Sequence, residues 1–133
     1  MPDINRHSGE NIDGFEAVVQ SLQVIFTTRV GERVMRRFFG CEGLGLLGRL
    51  LTPQTFLRFI TALATAAYLY EPRFRVTSIT AGQNTSGAVR EGQASIIING
   101  IEIPRGHLGD MRPGRARMIL IAGTGNTVSF SEI

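Results

Sequence analysis

The chain has 133 residues, 43% of them apolar and 19% charged, which suits one globular core and leaves no run of like charge for a disordered tail. All 14 cations are arginine, so the pI is near 10.0 at a net charge of only +3; genomic replacement of lysine codons explains this as well as a demand for two-pronged carboxylate binding does. One cysteine excludes an internal disulfide, two histidines give no zinc-site spacing, and no apolar run is long enough for a membrane span, so a soluble, intracellularly made protein without metal, cofactor or membrane partner is expected.

Residues 1–12 are polar and read as an arm ahead of a single domain over 13–133. Asp13 and Glu16 resemble a capping box, and after them Phe15, Val18, Leu22, Ile25 and Phe26 recur at helical spacing, which predicts a helix over about 14–28. The stretch 29–43, RVGERVMRRFFGCEG, mixes charges, glycines and two phenylalanines without a period. It reads as a structured loop, or as a solvated connector with Phe38 and Phe39 tucked into the core. GLLGRLL, 45–51, can form a short helix before Thr52, a good cap for a second helix with Pro53 at its first position.

That second helix extends to about Tyr70. Phe56, Ile60, Leu63, Ala67 and Tyr70 form one stripe, while Phe59, Ala62, Ala66 and Leu69 widen the apolar surface to a second face. Either the domain wraps this helix or a partner covers the rest. Pro72 lacks an amide proton and pushes Glu71 out of helical angles, so the helix stops there. A carboxylate at a helix carboxyl end is repelled by the macrodipole, so something else must hold Glu71.

RFRVTSIT, 73–80, alternates as a strand, 82–87 reads as a turn, and 93–103 carries Ile96, Ile97 and Ile98, the pattern of a strand covered on both faces. Residues 104–115 are loop-like, ARMILIAG (116–123) is a buried-strand candidate, and TVSFSEI (127–133) alternates Val128 and Phe130. The expected class is α+β: two main helices packed on a small, mostly antiparallel sheet, with 104–133 as a carboxyl-terminal β extension.

No catalytic constellation stands out. The histidines have no nucleophile elbow beside them, Cys41 reads as a packed small residue, and the glycines at 40, 43, 45 and 48 miss the phosphate-loop spacing. Glu32, Glu71 and Asp110 are closely flanked by arginines, which suits a base or a salt bridge better than the acid of a glycosidase. Nucleic acid is not an expected partner, since the aromatics are not interleaved with the arginines.

Three features taken together resemble one family: a first helix leading into GERVMRRFFG (31–40), a second helix ending in Glu71-Pro72-Arg73, and an arginine-started strand followed by an isoleucine-rich one. This is similar to the small baseplate wedge protein, or sheath initiator, of contractile phage tails and related injection machines, over about residues 15–103. The resemblance implies a scaffold, not an enzyme, in the baseplate of a virion tail assembled in the host cytoplasm. Its implied partners are larger wedge proteins, sheath subunits and tube or hub proteins, with several copies around the tail axis.

In that family Glu-Pro-Arg is the signature of wedge docking, so Glu71 and Arg73 are expected either to pair or to project as prongs from a corner stiffened by Pro72. Their alanine variants should then lose partner binding and leave the fold largely intact. An internal bridge from the corner to Glu32, Arg33 or Arg36 is the competing arrangement. Val128 and Phe130 are expected either to enter pockets of an added neighbour or to close the protein's own sheet. A lysozyme-like peptidoglycan hydrolase is the alternative function.

Overall fold

The computed structural model of the chain describes residues 2–43, 52–83, 85–90, 93–124 and 127–133; the short helix expected at 45–51 lies outside them. The polar arm forms a small hairpin, β1 (Asp3–Ile4) paired antiparallel with β2 (Asn11–Ile12). Gln20 clips it to the first helix: its Oε1 accepts the Arg6 N–H at 2.8 Å and its Nε2 donates to the Ile4 carbonyl at 3.0 Å.

Helix α1 (Phe15–Thr27) buries Phe15, Val18, Leu22, Ile25 and Phe26, as its spacing requires. The capping box does not form. Gly14 occupies the cap position at φ 67°, a conformation open to glycine, and Asp13, one residue too early, accepts the Gly14 N–H at 2.7 Å. Helix α2 (Pro53–Tyr70) starts as read, with Thr52 Oγ1 accepting the Thr55 N–H at 3.2 Å, and ends where the Glu71 N–H donates to the Ala67 carbonyl.

Beyond the corner run β3 (Phe74–Ala81), the short helix α3 (Ser86–Arg90), β4 (Gln93–Glu102), a 3-10 turn (Gly106–Leu108), β5 (Ala116–Thr124) and β6 (Thr127–Glu132). The stretch read as a turn thus continues into α3, because Thr85 Oγ1 takes the Ala88 N–H and starts a helical turn. The four strands form an antiparallel meander in the order β3-β4-β5-β6, with a bulge at Thr77 between the pairs Val76–Gly100 and Ser78–Asn99. In register, Ile98 sits between Ile79 and Ile119, and Ile121 faces Phe130.

Both long helices lie on one face of this sheet, α2 against β3 and α1 across to β6. The core between the layers holds Leu22, Ile25, Leu63, Ala67, Phe74, Ile98 and Ile119, joined by Phe39 and Cys41 from the 29–43 loop. Burial pushes the Cys41 thiol up from its ordinary pKa, which keeps it a neutral packed group. The opposite face carries Ile97, Ile101 and Leu120 half-buried and Met118 exposed, so β4 is covered by helices on one face and not on both. Among the described residues, no helix is long and apolar enough to cross a membrane.

Candidate functional site

The corner after α2 answers the question that Glu71 poses. Its side chain is only 2% exposed, and both its oxygens are taken by Arg73: Nε reaches Oε1 at 2.8 Å, Nη2 reaches Oε2 at 3.0 Å, and the Arg73 backbone N–H also donates to Oε1 at 3.2 Å. Pro72 forces extended backbone at Glu71 (φ −124°, ψ 86°), and this corner brings the residues at i and i+2 together. The bidentate bond holds the guanidinium pKa above its ordinary value, and a lesser contribution comes from Asp3 of the hairpin.

Glu71 therefore does not project as a prong. The pair is made within the corner, and the outward features are Pro72 and the 20% of Arg73 that stays accessible. From below, the corner is gripped by the chain after β4. The Ile103 N–H donates to the Arg73 carbonyl at 2.7 Å, and buried Gly106 lies so close that a Cβ there would stand 2.0 Å from the Pro72 carbonyl oxygen.

The residues of the 29–43 loop do not bridge to Glu71. Glu32 turns inward to its own loop, its Oε2 accepting the Arg29 N–H at 2.8 Å. Arg33 and Arg36 lie over the Phe39 ring, 4.4 and 5.3 Å from its centroid, and that ring packs at 4.9 Å against Tyr70, whose hydroxyl donates to the Phe38 carbonyl. Only Phe39 enters the core; Phe38 is exposed. Gly40 permits the fold-back at φ 134°, with the Thr28 carbonyl oxygen 2.6 Å from where a Cβ would be.

Val128 and Phe130 separate. Phe130 stacks on Phe26 of α1 at 6.3 Å and packs against the core, so it fills a pocket of its own chain, while Val128 stays exposed. Beside them Arg117 of β5 ties three strands and α1 together. Its guanidinium bonds Glu102 of β4 at 3.1 Å and Glu132 of β6, and lies 4.9 Å over the Phe15 ring. The sequence reading missed this network, whose signal was the charged residue on the inward side of an otherwise apolar strand. Among the described residues, no group of three or more His, Cys, Asp or Glu could hold a metal ion.

The model of the family described as baseplate wedge protein gp25 matches residues 13–101. Baseplate protein W of Escherichia phage P2 is 32% identical over 84 residues, which cover 63% of this chain and 73% of that protein. Among solved structures, a proposed tail lysozyme from Geobacter sulfurreducens superposes with a TM-score of 0.64 at 23% identity, over 87% of this chain and 96% of that one.

A chain of the post-contraction baseplate of pyocin R2 gives 0.64 at 20% identity, covering 77% of this chain and 98% of that one. One from the baseplate of the anti-feeding prophage gives 0.52 at 20% identity over 95% of this chain and 82% of that one. At such identities the structures speak for the fold alone, and a share of 95% carries the last match beyond Pro104. By the match over 13–101 and the relative in phage P2, the chain belongs to the baseplate wedge protein gp25 family, whose members are structural parts of contractile-tail baseplates.

Proposed function

We propose that the chain docks to larger wedge proteins through the Glu-Pro-Arg corner and starts the tail sheath on the open edge of β6. Several copies would act around the tail axis, beside tube or hub proteins, in a baseplate put together in the host cytoplasm. The observation that supports the sheath role is the polarity of β6. The Ile133 N–H donates to the Met118 carbonyl at 3.1 Å, so by the alternation of an antiparallel ladder the N–H groups of Ser131 and Ser129 turn toward β5. Those of Glu132, Phe130 and Val128 turn away from it, toward the side on which the described residues place no strand.

Such an edge is a template for strand addition. Val128→Pro removes one outward donor and no bond to β5, and proline is tolerated at an edge. The variant should melt within about 1 kcal/mol of the wild-type stability, as expected of a surface change, yet fail to nucleate sheath polymerisation with the cognate sheath protein, scored by electron microscopy. Normal nucleation by a folded V128P chain would remove β6 as the template.

The likeness to a proposed tail lysozyme raises hydrolysis as a second reading. The carboxylates singled out for it are engaged: Glu71 by Arg73, Glu32 by the Arg29 backbone, and Asp110 by Arg112 at 3.5 Å. The purified protein should release no soluble fragments from peptidoglycan. Release that disappears in Glu32→Gln would establish an active site instead.

A further inference from the structure

Between the 29–43 loop and the outward side of α2 lies a groove of about 830 Å³. Phe38 and Val30 rise on the loop side, and Leu57 and Leu69 stand along the helix; Phe38, Leu57 and Leu69 are 67%, 65% and 61% exposed. Whereas Phe59, Ala62 and Ala66 of the second apolar face expected from the sequence lie against the core, Leu57 and Leu69 stand on a side of α2 that neither α1 nor the sheet covers. Between them the lining is small. Thr61 and Thr65 bond their hydroxyls back to the Leu57 and Thr61 carbonyls, each at 2.8 Å, so neither hydroxyl is left in need of a partner.

A channel with small residues along its floor and large apolar ones at its sides matches a rod, since helices pack with axes about 8–10 Å apart when small side chains meet at the contact. Strand addition would need unpaired backbone, and the amides of α2 are spent within the helix. The charge around the groove is one-sided. Among the described residues Arg58 and Glu42 are the charged residues of its lining. The loop that forms its other side carries exposed Arg33, Arg36 and Arg37 against one further acid, Glu32, whose carboxylate is turned to the Arg29 N–H. Arg33 and Arg36 are held in place over Phe39, at the end of the groove marked by Tyr70.

We infer that this groove receives one amphipathic helix of a partner protein, its apolar face spaced at i, i+4 and i+7 and its flank acidic. The inference rests on the reading of the chain as a baseplate component with protein partners, and adds the chemistry of one such contact. The apolar anchors fill the space between Phe38 and Leu69, and the acids meet the loop arginines. Desolvated guanidinium–carboxylate contacts fix which way the helix lies.

The test uses the whole chain and a fluorescent 18-residue helical peptide with leucines at that spacing and glutamates on the flanks, read by anisotropy. A second peptide carries lysines in place of the glutamates. The acidic peptide should bind saturably, the basic one at least tenfold more weakly. Leu57→Asp and Leu69→Asp, both at exposed positions, should each weaken binding at least tenfold while each variant keeps a cooperative melting transition, lowered slightly in L69D because its acid meets the carboxyl end of α2. Arg36→Glu combined with Arg37→Glu should reverse the preference between the peptides, and Val128→Pro should bind as wild type does, which keeps this test separate from that of sheath initiation.

Binding insensitive to L57D and L69D, or no binding of either peptide, overturns the inference. So does a concentration-dependent dimer in light scattering that L69D abolishes, which would make a second copy the occupant. Binding that arises only when 44–51 is replaced by glycine and serine would assign the groove to the chain's own segment.

Discussion

Arg73→Ala is expected to cost about 4 kcal/mol of folding stability and Glu71→Ala about 2. The asymmetry follows from burial. Removing Arg73 strands a carboxylate that is 2% exposed, whereas removing Glu71 leaves a guanidinium that already touches solvent and can swing further out. For a domain of this size the larger loss lowers the melting temperature by on the order of 10 °C. The double variant should be less destabilised than the sum of the singles, because the stranded charge is gone; urea unfolding of all four proteins measures that coupling. This replaces the expectation that both variants leave the fold intact, which holds for exposed ion pairs. An R73A chain melting with the wild type would sink the structural role of the pair.

Gly106→Ala should be nearly as damaging, at about 3 kcal/mol. The added methyl would stand 2.0 Å from the Pro72 carbonyl oxygen and 2.7 Å from its carbon. These are backbone atoms at a corner stiffened by proline, so relief requires the 3-10 turn to lift away and break the Ile103–Arg73 bond. Gly109→Ala is the control. It sits three residues on at φ 86° with nothing within 4 Å of its Cβ position, so it should cost only the left-handed penalty of about 1 kcal/mol. Equal melting temperatures for the two variants would show that the corner yields easily.

The long elements were legible because local signals agreed. Thr52, Pro53 and Pro72 bracket α2 by capping chemistry, and the apolar spacing of α1 matches what it buries. The alternation of 73–80 and 127–133 and the apolar runs around Ile97 and Leu120 yield four strands within a residue or two of their expected ends. What escaped was short or tertiary. Strands of two residues, as in the amino-terminal hairpin, carry no period, and Gly14 displaces Asp13 as cap through a backbone angle that composition does not reveal.

The corner was legible as a fixed point, not in its wiring. That Glu71 pairs with Arg73 rather than with the loop depends on where Phe39 docks, since Arg33 and Arg36 are drawn to that ring. Likewise the alternation of Val128 and Phe130 could not say whose pocket Phe130 fills; the packing of α1 over β6 decides it.

The stacking of Phe26 on Phe130 also sets an order of events as the chain folds. Each strand of the meander pairs with its neighbour in sequence, so β3 to β6 can zip hairpin by hairpin at little loop-closure cost. Helix α1 closes by far the longest loop, about a hundred residues from Phe26 to Phe130, and the Phe26 end of its stripe stays wet until β6 is laid down, while Phe15 meets Phe74 of β3. The strand that completes the core is therefore the same one that offers the open edge. Before α1 docks, β6 is held by its ladder to β5 alone; once Phe130 is seated on Phe26, the edge strand is anchored to the core as well as to the sheet.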